Sequence, residues 1–570
     1  MIICGLKLTH DGSIAVIDNN KLMFSIEIEK LANNLRYSSI EDTACIESIL
    51  RENGYSCDDI DQFAIDGWGG YNQDALAIQP RLEIGEAHNR LSATDNGHPY
   101  TLDIGQYHER ALKDSILEES SFTGLRVNGR SFNYTSYLHV TNHVLSAYCS
   151  SPFAARNEGS YILVWDGGMY PRLYYLDGLS HTVENLGPIF LLIGNIYSIF
   201  SQHFKPFLVN ENTAFAKDSL SVAGKVMAYI ALGKVRPALF EIFEKIYHEE
   251  YNNPMGFANA FALSFKNRIK GMGIADEDVL ATFHVYLENL LIEKLRKKIG
   301  RYTGKTRNLC LVGGCALNIK WNSAIRNETI FKEVYVPPFP NDSGSAIGAA
   351  CTYLFRRSPD FVLDWNVYSG PKIKASTADD GWNARQCSLK ELAALLHSSN
   401  EPVVFLNGRA ELGPRALGNR SILASPVSPY MKTILNDVKK REHYRPVSPI
   451  CLEEEAKAIF LPGISDPYML FDHQVKEEWL DRLPAVCHLD NSARLQTVNE
   501  TQNPIIAELL GEYHALSQIP LLCNTSANFN GSGFFPDVNS ATRWGQVNYV
   551  WSDGVIYEKQ DRVSFESFKH

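Results

Sequence analysis

The sequence predicts an α/β protein in two parts, and three observations carry that expectation. Short apolar runs alternate with helix-patterned stretches from the first residue onward. A stretch at 357–385, "RRSPDFVLDWNVYSGPKIKASTADDGW", is rich in Pro, Gly and Asp and has no period, so it reads as a boundary. The alternation resumes after it and runs to about residue 555. At 570 residues the chain is long enough for two or three domains. The expected division is 1–365, with an irregular insertion at about 68–130, then a linker at 366–385 and a second domain at 386–570.

The elements follow in order. "MIICGLKL" and "SIAVID" are apolar strands, Asn19-Asn20 supplies a two-residue turn, and "KLMFSIEIE" returns as a third strand. "SSIEDTACIESILRENG" reads as a helix with a Ser cap and an Asn-Gly exit. "IDQFAIDGWGG" is a buried strand, and the polar, weakly periodic stretch 68–130 is expected to be irregular. "YTSYLHVTNHVLSAYCSS" reads as helix, and "SYILVWDGG" as a strand ending in an acidic-glycine turn. Residues 276–300 form an amphipathic helix with apolar positions 280, 283, 287, 291 and 295. Strand "NLCLV", loop "GG", helix "CALNIKWNSAI", strand "EVYV" and helix "SGSAIGAACTYLF" complete the first part. No internal repeat or low-complexity segment is visible.

The formal net charge of −11 argues against non-specific nucleic-acid or membrane-surface binding. The eleven cysteines contain no CxxC, which fits reduced thiols rather than a disulfide framework or a zinc site. The N-terminus meets a charge too early for a signal peptide, and "GPIFLLIGNIYSIF" is too short and glycine-broken to span a bilayer. The chain reads as cytoplasmic.

Six constellations can carry chemistry. His139 and His143 in "HVTNH" stand at i and i+4 on a helix and can share a metal. Asp166 in "VWDGG" ends an apolar strand, and Asp342 in "PNDSGSAIGAA" opens a small-residue helix; as an Asx turn and an N-cap they need no function. Together the four make an N₂O₂ set suited to Fe²⁺, Mn²⁺ or Zn²⁺. Gly313-Gly314, between a strand and a helix, lets the backbone approach an anion. His10 and Asp11 in "THDGS" follow the first strand, and a histidine there is suited to take a proton or to make a structural hydrogen bond. Finally, "GRAELGPRALGNRS" (408–421) and its continuation hold eight Lys/Arg against three acidic residues from 409 to 445. Arginines set among Gly, Pro and Leu fit phosphate forks better than a solvated face. Arg494, Asn524 and Ser526 extend this group.

"THDGS", "HVTNH", "WDGG", "AGKVMAY", "VGGCALN", "NDSGSAIGAA", "GRAELGPRALGNRSIL", "KKREHYRPVSP", "HLDNSARLQTV" and "CNTSANFNGSG" occur in an order that resembles one family nearly end to end. These are the O-carbamoyltransferases related to nodulation proteins and to the enzymes that carbamoylate cephem and aminoglycoside antibiotics. The resemblance implies an actin-like ATPase fold (a duplicated ribonuclease-H-like fold) for the first domain, similar to the catalytic subunit of tRNA threonylcarbamoylation. It implies an α/β YrdC-like second domain that forms carbamoyl-adenylate from ATP and carbamoyl phosphate, and transfer to an acceptor hydroxyl with AMP leaving. By the same resemblance His139, His143, Asp166 and Asp342 bind the metal, Fe²⁺ in the family. Gly313, Gly314, Asn318 and Lys225 flank the nucleotide, and His10, with Asp11, faces the acceptor. Arg415, Arg420, Lys439, Arg445, Arg494, Asn524 and Ser526 grip ATP and carbamoyl phosphate.

Two departures stand out. The family's "DGTAR" is "DNSAR" here, so Asn491 occupies a glycine position and is expected to alter that loop. "FFPDVNSATRW" replaces the usual pattern after "NGSG". The acceptor is expected to be a hydroxyl-bearing small molecule or a hydroxymethylated base in DNA, for which Arg81, Arg90, Arg110, Lys113, Arg126 and Arg130 offer a basic groove. The oligomeric state is open. A tRNA threonylcarbamoyl transferase is disfavoured by "GPRALGNRS", and a non-catalytic nucleotide-binding regulator by the retained metal and arginine sets.

Overall fold

The computed structural model of the chain describes residues 1–68, 89–109, 111–209, 219–249, 254–302, 304–358 and 360–565. It divides into two compact units that are not sequential. The first is Met1–Thr9, Ile14–Leu22 and Ile40–Asp364; the second is His10–Ser13, Met23–Ser39 and Trp365–His570.

The first unit contains two sheets of the same strand order. One comprises β1 (Ile2–Lys7), β2 (Ser13–Asp18), β3 (Lys21–Glu27), β4 (Gln62–Asp66), β7 (Ser120–Val127) and β8 (Arg130–Tyr137), ordered β3-β2-β1-β4-β8-β7. Its β3 begins in the first unit and runs into a segment grouped with the second. The other sheet comprises β9 (Ser160–Val164), β10 (Arg172–Asp177), β11 (Thr182–Pro188), β12 (Asn308–Val312) and β13 (Glu333–Tyr335), ordered β11-β10-β9-β12-β13. In each, the central strand is parallel to its fourth partner (β1 with β4, β9 with β12), and that partner is parallel to a fifth. β9 and β12 are buried at every residue, which explains their unbroken apolar runs.

The described part of the 68–130 stretch is more ordered than its composition suggested. β5 (Asn89–Asp95) and β6 (His98–Ile104) form an antiparallel hairpin, and β7 is an edge strand of the first sheet. Asp42 pins the β5–β6 turn by accepting the amides of Asn96 and Gly97 at 3.0 and 2.8 Å. That role keeps 38–44 out of the expected helix, which spans only Cys45–Glu52. The expected helix at 134–151 likewise begins later, at His139, because Tyr134–Tyr137 pair with β4 as the end of β8. Aromatic and β-branched residues there follow the sheet's two-residue period.

The His139–Cys149 helix is buried on all sides. The Ser345–Arg357 helix packs against it so closely that a Cβ on Gly348 would lie 2.0 Å from the Asn142 carbonyl oxygen. The run of small residues "SGSAIGAA" is therefore a packing surface.

In the second unit an eight-stranded mixed sheet runs Trp382–Gln386, Val555–Lys559, Tyr549–Ser552, Val403–Leu406, Arg420–Ala424, Leu521–Ser526, Ser448–Leu452, Gln496–Val498. Its first strand starts at Trp382, within the stretch expected to be a linker. Among the described residues no helix is long and apolar enough to cross a membrane, and all eleven cysteines are free thiols.

Gly348→Ala is expected to destabilise the protein by about 1–3 kcal/mol, since backbone and not a flexible side chain meets the new methyl. Thermal unfolding of the variant against the parent measures it.

Candidate functional site

In the first unit four predicted residues come together. One ligand atom each from His139, His143, Asp166 and Asp342 lies within 4.8 Å of every other, and all four residues are buried. The helix places the two imidazoles one turn apart, with their Nε2 atoms 3.1 Å from each other and each 3.4 Å from Asp342 Oδ1. Asp342 opens a short 3-10 turn (Asp342–Gly344) just before the small-residue helix. Asp166 lies two residues beyond β9, which ends at Val164.

Asp166 is held from both sides. Its Oδ1 accepts the Gly314 amide at 2.8 Å and its Oδ2 accepts the Tyr107 hydroxyl at 2.5 Å. Gly314 thus acts on a carboxylate of the cluster. Gly313, at φ +89°, must be glycine, because a Cβ there would lie 2.5 Å from the Trp165 carbonyl oxygen. Asn318 caps the Ile319–Arg326 helix, accepting the amides of Lys320 and Trp321. Lys225 lies on the Ser219–Tyr229 helix, half-buried.

Sequence reasoning missed the groups behind the cluster. Asp66 accepts His139 Nδ1 at 2.9 Å, Asn142 Nδ2 at 2.7 Å and Lys7 Nζ at 2.9 Å. Lys7 also reaches Asp342 Oδ2 at 2.9 Å. Tyr107 stacks on the His139 ring at a centroid separation of 4.8 Å. A signal for Asp66 was present, since "AIDG" repeats the apolar-strand, Asp-Gly pattern of "VWDG". Lys7 carried none, being one charge inside a strand.

The electrostatics follow from burial and pairing. Burial opposes charge on His139, yet Asp66 and Asp342 hold its pKa well above the ordinary value. Burial and Asp342 push the Asp166 pKa up, but the two imidazoles outweigh them and bring it down to about 2. Burial keeps Tyr107 neutral, reinforced by Asp166. Two inward-facing imidazole nitrogens and two carboxylates, with His139 oriented by a carboxylate behind it, fit a divalent transition metal.

In the second unit the "GRAELGPRALGNRS" stretch is a tightly tied turn. Glu411 Oε1 accepts the amides of Leu417, Asn419 and Arg420 at 2.6, 2.9 and 3.1 Å. Buried Lys30 donates to the carbonyls of Glu411 and Gly413, both at 2.7 Å. Arg420, 1% exposed, donates to the carbonyls of Asn407, Asn419, Gly408 and Pro371. Its guanidinium therefore serves the turn, and burial lowers its pKa to about 10. Lys439 Nζ donates to the carbonyls of Ser526 and Asn528 at 2.8 Å, and Asn524 Nδ2 to the Ala416 carbonyl at 3.0 Å. Ser526 Oγ donates to Asn528 Oδ1.

Arg415, Arg445 and Arg494 are half-buried in this arrangement. Burial lowers the pKa of each, and they depress one another: Arg494 and Arg445 act on Arg415, and Arg445 on Arg494, which falls to about 10. Arg441 and Arg36 belong to the same group. Burial and Arg445 lower Arg441 to about 9. Arg36 is kept protonated by Glu29 against the effect of burial, and itself depresses Arg415. Guanidinium forks gathered in this way have the chemistry to bind an anion. Arg36 gave no sequence signal, since it comes from a segment far away in the chain.

His10 and Asp11 fall in the second unit. Asp11 adopts φ +56° and faces Arg36 and Tyr37 electrostatically. Asn491 adopts φ +60°, so it fills the left-handed position that glycine takes in the family pattern. Of the proposed basic groove, Arg90 and Arg130 pair with Asp103 and Asp58, Arg126 lies over the Tyr100 ring, and Arg81 and Arg110 lie outside the described residues.

The first unit thus holds a buried cluster of two imidazoles and two carboxylates, and the second a group of half-buried arginines. The chain belongs to the carbamoyltransferase family: residues 2–351 match the family's carbamoyltransferase N-terminus and 393–557 its C-terminus. Among its relatives, nodulation protein U of Sinorhizobium fredii is 46% identical, over 98% of this chain and 99% of the relative. The 3'-hydroxymethylcephem-O-carbamoyltransferase of Amycolatopsis lactamdurans is 31% identical over 94% of each. A glucokinase of Balamuthia mandrillaris in complex with glucose covers 62% of this chain and 93% of its own at 10% identity and a TM-score of 0.23, too faint a likeness to define a fold. The protein is a carbamoyltransferase.

His143→Ala and Asp342→Asn are each expected to abolish stoichiometric divalent metal in the purified protein, while Arg494→Ala leaves it intact; elemental analysis reads this. Metal affinity is expected to fall as pH falls, by about tenfold per pH unit for one displaced proton, because His139 must give up its proton to bind.

Proposed function

We propose that this carbamoyltransferase acts on an acceptor hydroxyl in two steps, using ATP and carbamoyl phosphate. The observation that carries this reading is the gathering of Arg415, Arg445, Arg494, Arg441 and Arg36, whose charges act on one another beside a turn tied by Glu411 and Lys30. Cations gathered in one place are suited to two polyanionic substrates, which also repel each other until neutralised. Carbamoyl phosphate and water give carbamate and phosphate. A carbamate oxygen then attacks the α-phosphorus of ATP, and pyrophosphate leaves. In this reading Arg415, Arg445 and Arg494 bind the phosphates, while Arg420, Lys439, Asn524 and Ser526 hold the loops that carry them.

In the second step the acceptor oxygen attacks the carbamoyl carbon and AMP leaves with the bridging oxygen. His10, set beside Asp11, takes the hydroxyl proton. His139, His143, Asp166 and Asp342 hold a divalent metal, Fe²⁺ by family resemblance, and Gly313, Gly314, Asn318 and Lys225 flank the nucleotide. When bound, the metal supplies positive charge to the phosphate of the leaving nucleotide.

The repeated strand order supports a duplicated ribonuclease-H-like, actin-like fold for the first unit, and the mixed sheet with its arginine face supports a YrdC-like second unit. A small hydroxyl-bearing acceptor is favoured over DNA, since a relative named for a 3'-hydroxymethylcephem aligns along nearly the whole chain and the described arginines of 89–130 face acids or a ring. A need for ATP, with eleven free thiols, fits the cytoplasm.

Pyrophosphate release from ATP is expected to require carbamoyl phosphate and to fall about a hundredfold in kcat/KM for Arg415→Ala. Release that ignores carbamoyl phosphate, or that persists unchanged in the variant, refutes the first step.

A further inference from the structure

The strongest unexplained feature is Lys7. It lies in the middle of the first sheet, fully buried, with its ammonium group 2.9 Å from Asp66 Oδ2 and 2.9 Å from Asp342 Oδ2. Asp342 belongs to the four-residue cluster, and Asp66 contacts the cluster through His139. The Trp68 ring sits 5.5 Å from the ammonium group. A lysine is not a metal ligand while it is an ammonium ion, so its presence at the cluster calls for an electrostatic account.

The buried charges can be counted. Asp66, Asp166 and Asp342 contribute three negative charges, and Lys7 contributes one positive charge. The imidazoles of His139 and His143 are neutral when they act as ligands, and Tyr107 is a neutral donor to Asp166. The remainder is two negative charges. Before any nucleotide binds, a divalent ion closes this balance, whereas a trivalent ion leaves one excess positive charge among buried side chains. Glu109 does not enter the count, because Arg172 pairs with it. An uncompensated charge in a dry interior is costly, so the balance discriminates between ions of different charge.

We propose that Lys7 is a built-in countercharge that fixes this site to divalent cations and excludes trivalent ones. The inference depends on the reading of His139, His143, Asp166 and Asp342 as a metal site. Lys7 is a specificity-determining residue that acts through Asp66 and Asp342 without touching the ion. By keeping the oxidised, trivalent state of a redox-active metal out of balance, it also favours retention of the reduced ion.

The test uses redox-silent ions of the two charges, Zn²⁺ and Ga³⁺, both buffered by nitrilotriacetate, with binding read by elemental analysis and competition rather than by turnover. The parent chain is expected to take up one equivalent of Zn²⁺ in preference to Ga³⁺. Lys7→Met, close in length and neutral, is expected to shift that preference toward Ga³⁺ by at least tenfold. Lys7→Met combined with Asp66→Asn removes one charge of each sign and keeps an acceptor for His139 Nδ1; its preference is expected to return to that of the parent. Circular dichroism checks the fold of each variant, and Lys7→Gln replaces Lys7→Met if the latter does not fold. Unchanged preference in the single variant, or no reversal in the double one, overturns the inference while leaving the metal reading intact. Failure of the parent to bind Zn²⁺ at all, with His143→Ala no different, overturns both.

Discussion

Buried charge organises the first unit. Lys7, Asp66, His139 and Asp342 are each 4% exposed or less, and each is held by at least one of the others. They arrive from four places: the end of β1, the end of β4, the start of the His139–Cys149 helix and the turn before the Ser345–Arg357 helix. Leaving one of them unpaired costs several kcal/mol, of the order of a domain's whole stability. The positions of those four elements are therefore mutually enforced. The glycine at 348 matters for the same reason, since any side chain there pushes apart the two helices that bring Asp342 to the imidazoles.

The second unit solves the inverse problem. Its arginines repel one another, so nothing in their own chemistry holds them together. The holding is done by backbone. Glu411 gathers three amides of the turn that carries Arg415, and Lys30 clamps two of its carbonyls. Lys439 and Asn524 tie the strand exit at Ser526 and the residue after Arg415. Two residues expected to grip phosphate are thereby revealed as anchors: Arg420 and Lys439 spend their donors on carbonyls. A turn rigid enough to hold like charges near one another is also one that loses little entropy when an anion binds.

Much of this was legible in the sequence, and the failures have a common cause. The i, i+4 histidines, the Asp-Gly strand ends and the glycine pair are local patterns, and the fold brings His139, His143, Asp166, Asp342 and Gly314 together. The strands and helices with clear periods also emerged where expected. What failed was whatever depended on a distant partner. Tyr134–Tyr137 looks helical beside the helix that follows it, but pairing with β4 makes it strand. The repeat of strand order has no visible counterpart in the sequence, because strand order does not depend on particular side chains. Arg36 is one arginine in "NNLRYS" until the fold brings it to Arg415, 379 positions later in the chain. Asn491 shows the reverse case: it departs from the family's glycine, yet asparagine reaches the same left-handed backbone.

The net charge of −11 was therefore a poor guide to what the chain binds. It sums over a surface on which most charges are solvated and worth little. The charges gathered into clusters are few and are buried or half-buried: two carboxylates with two imidazoles in the first unit, and a group of guanidinium forks in the second. Inside a low-dielectric interior each of those charges acts several times more strongly than a surface one. A chain can thus be acidic overall and still gather five arginines in one place and bury a lysine between two carboxylates in another.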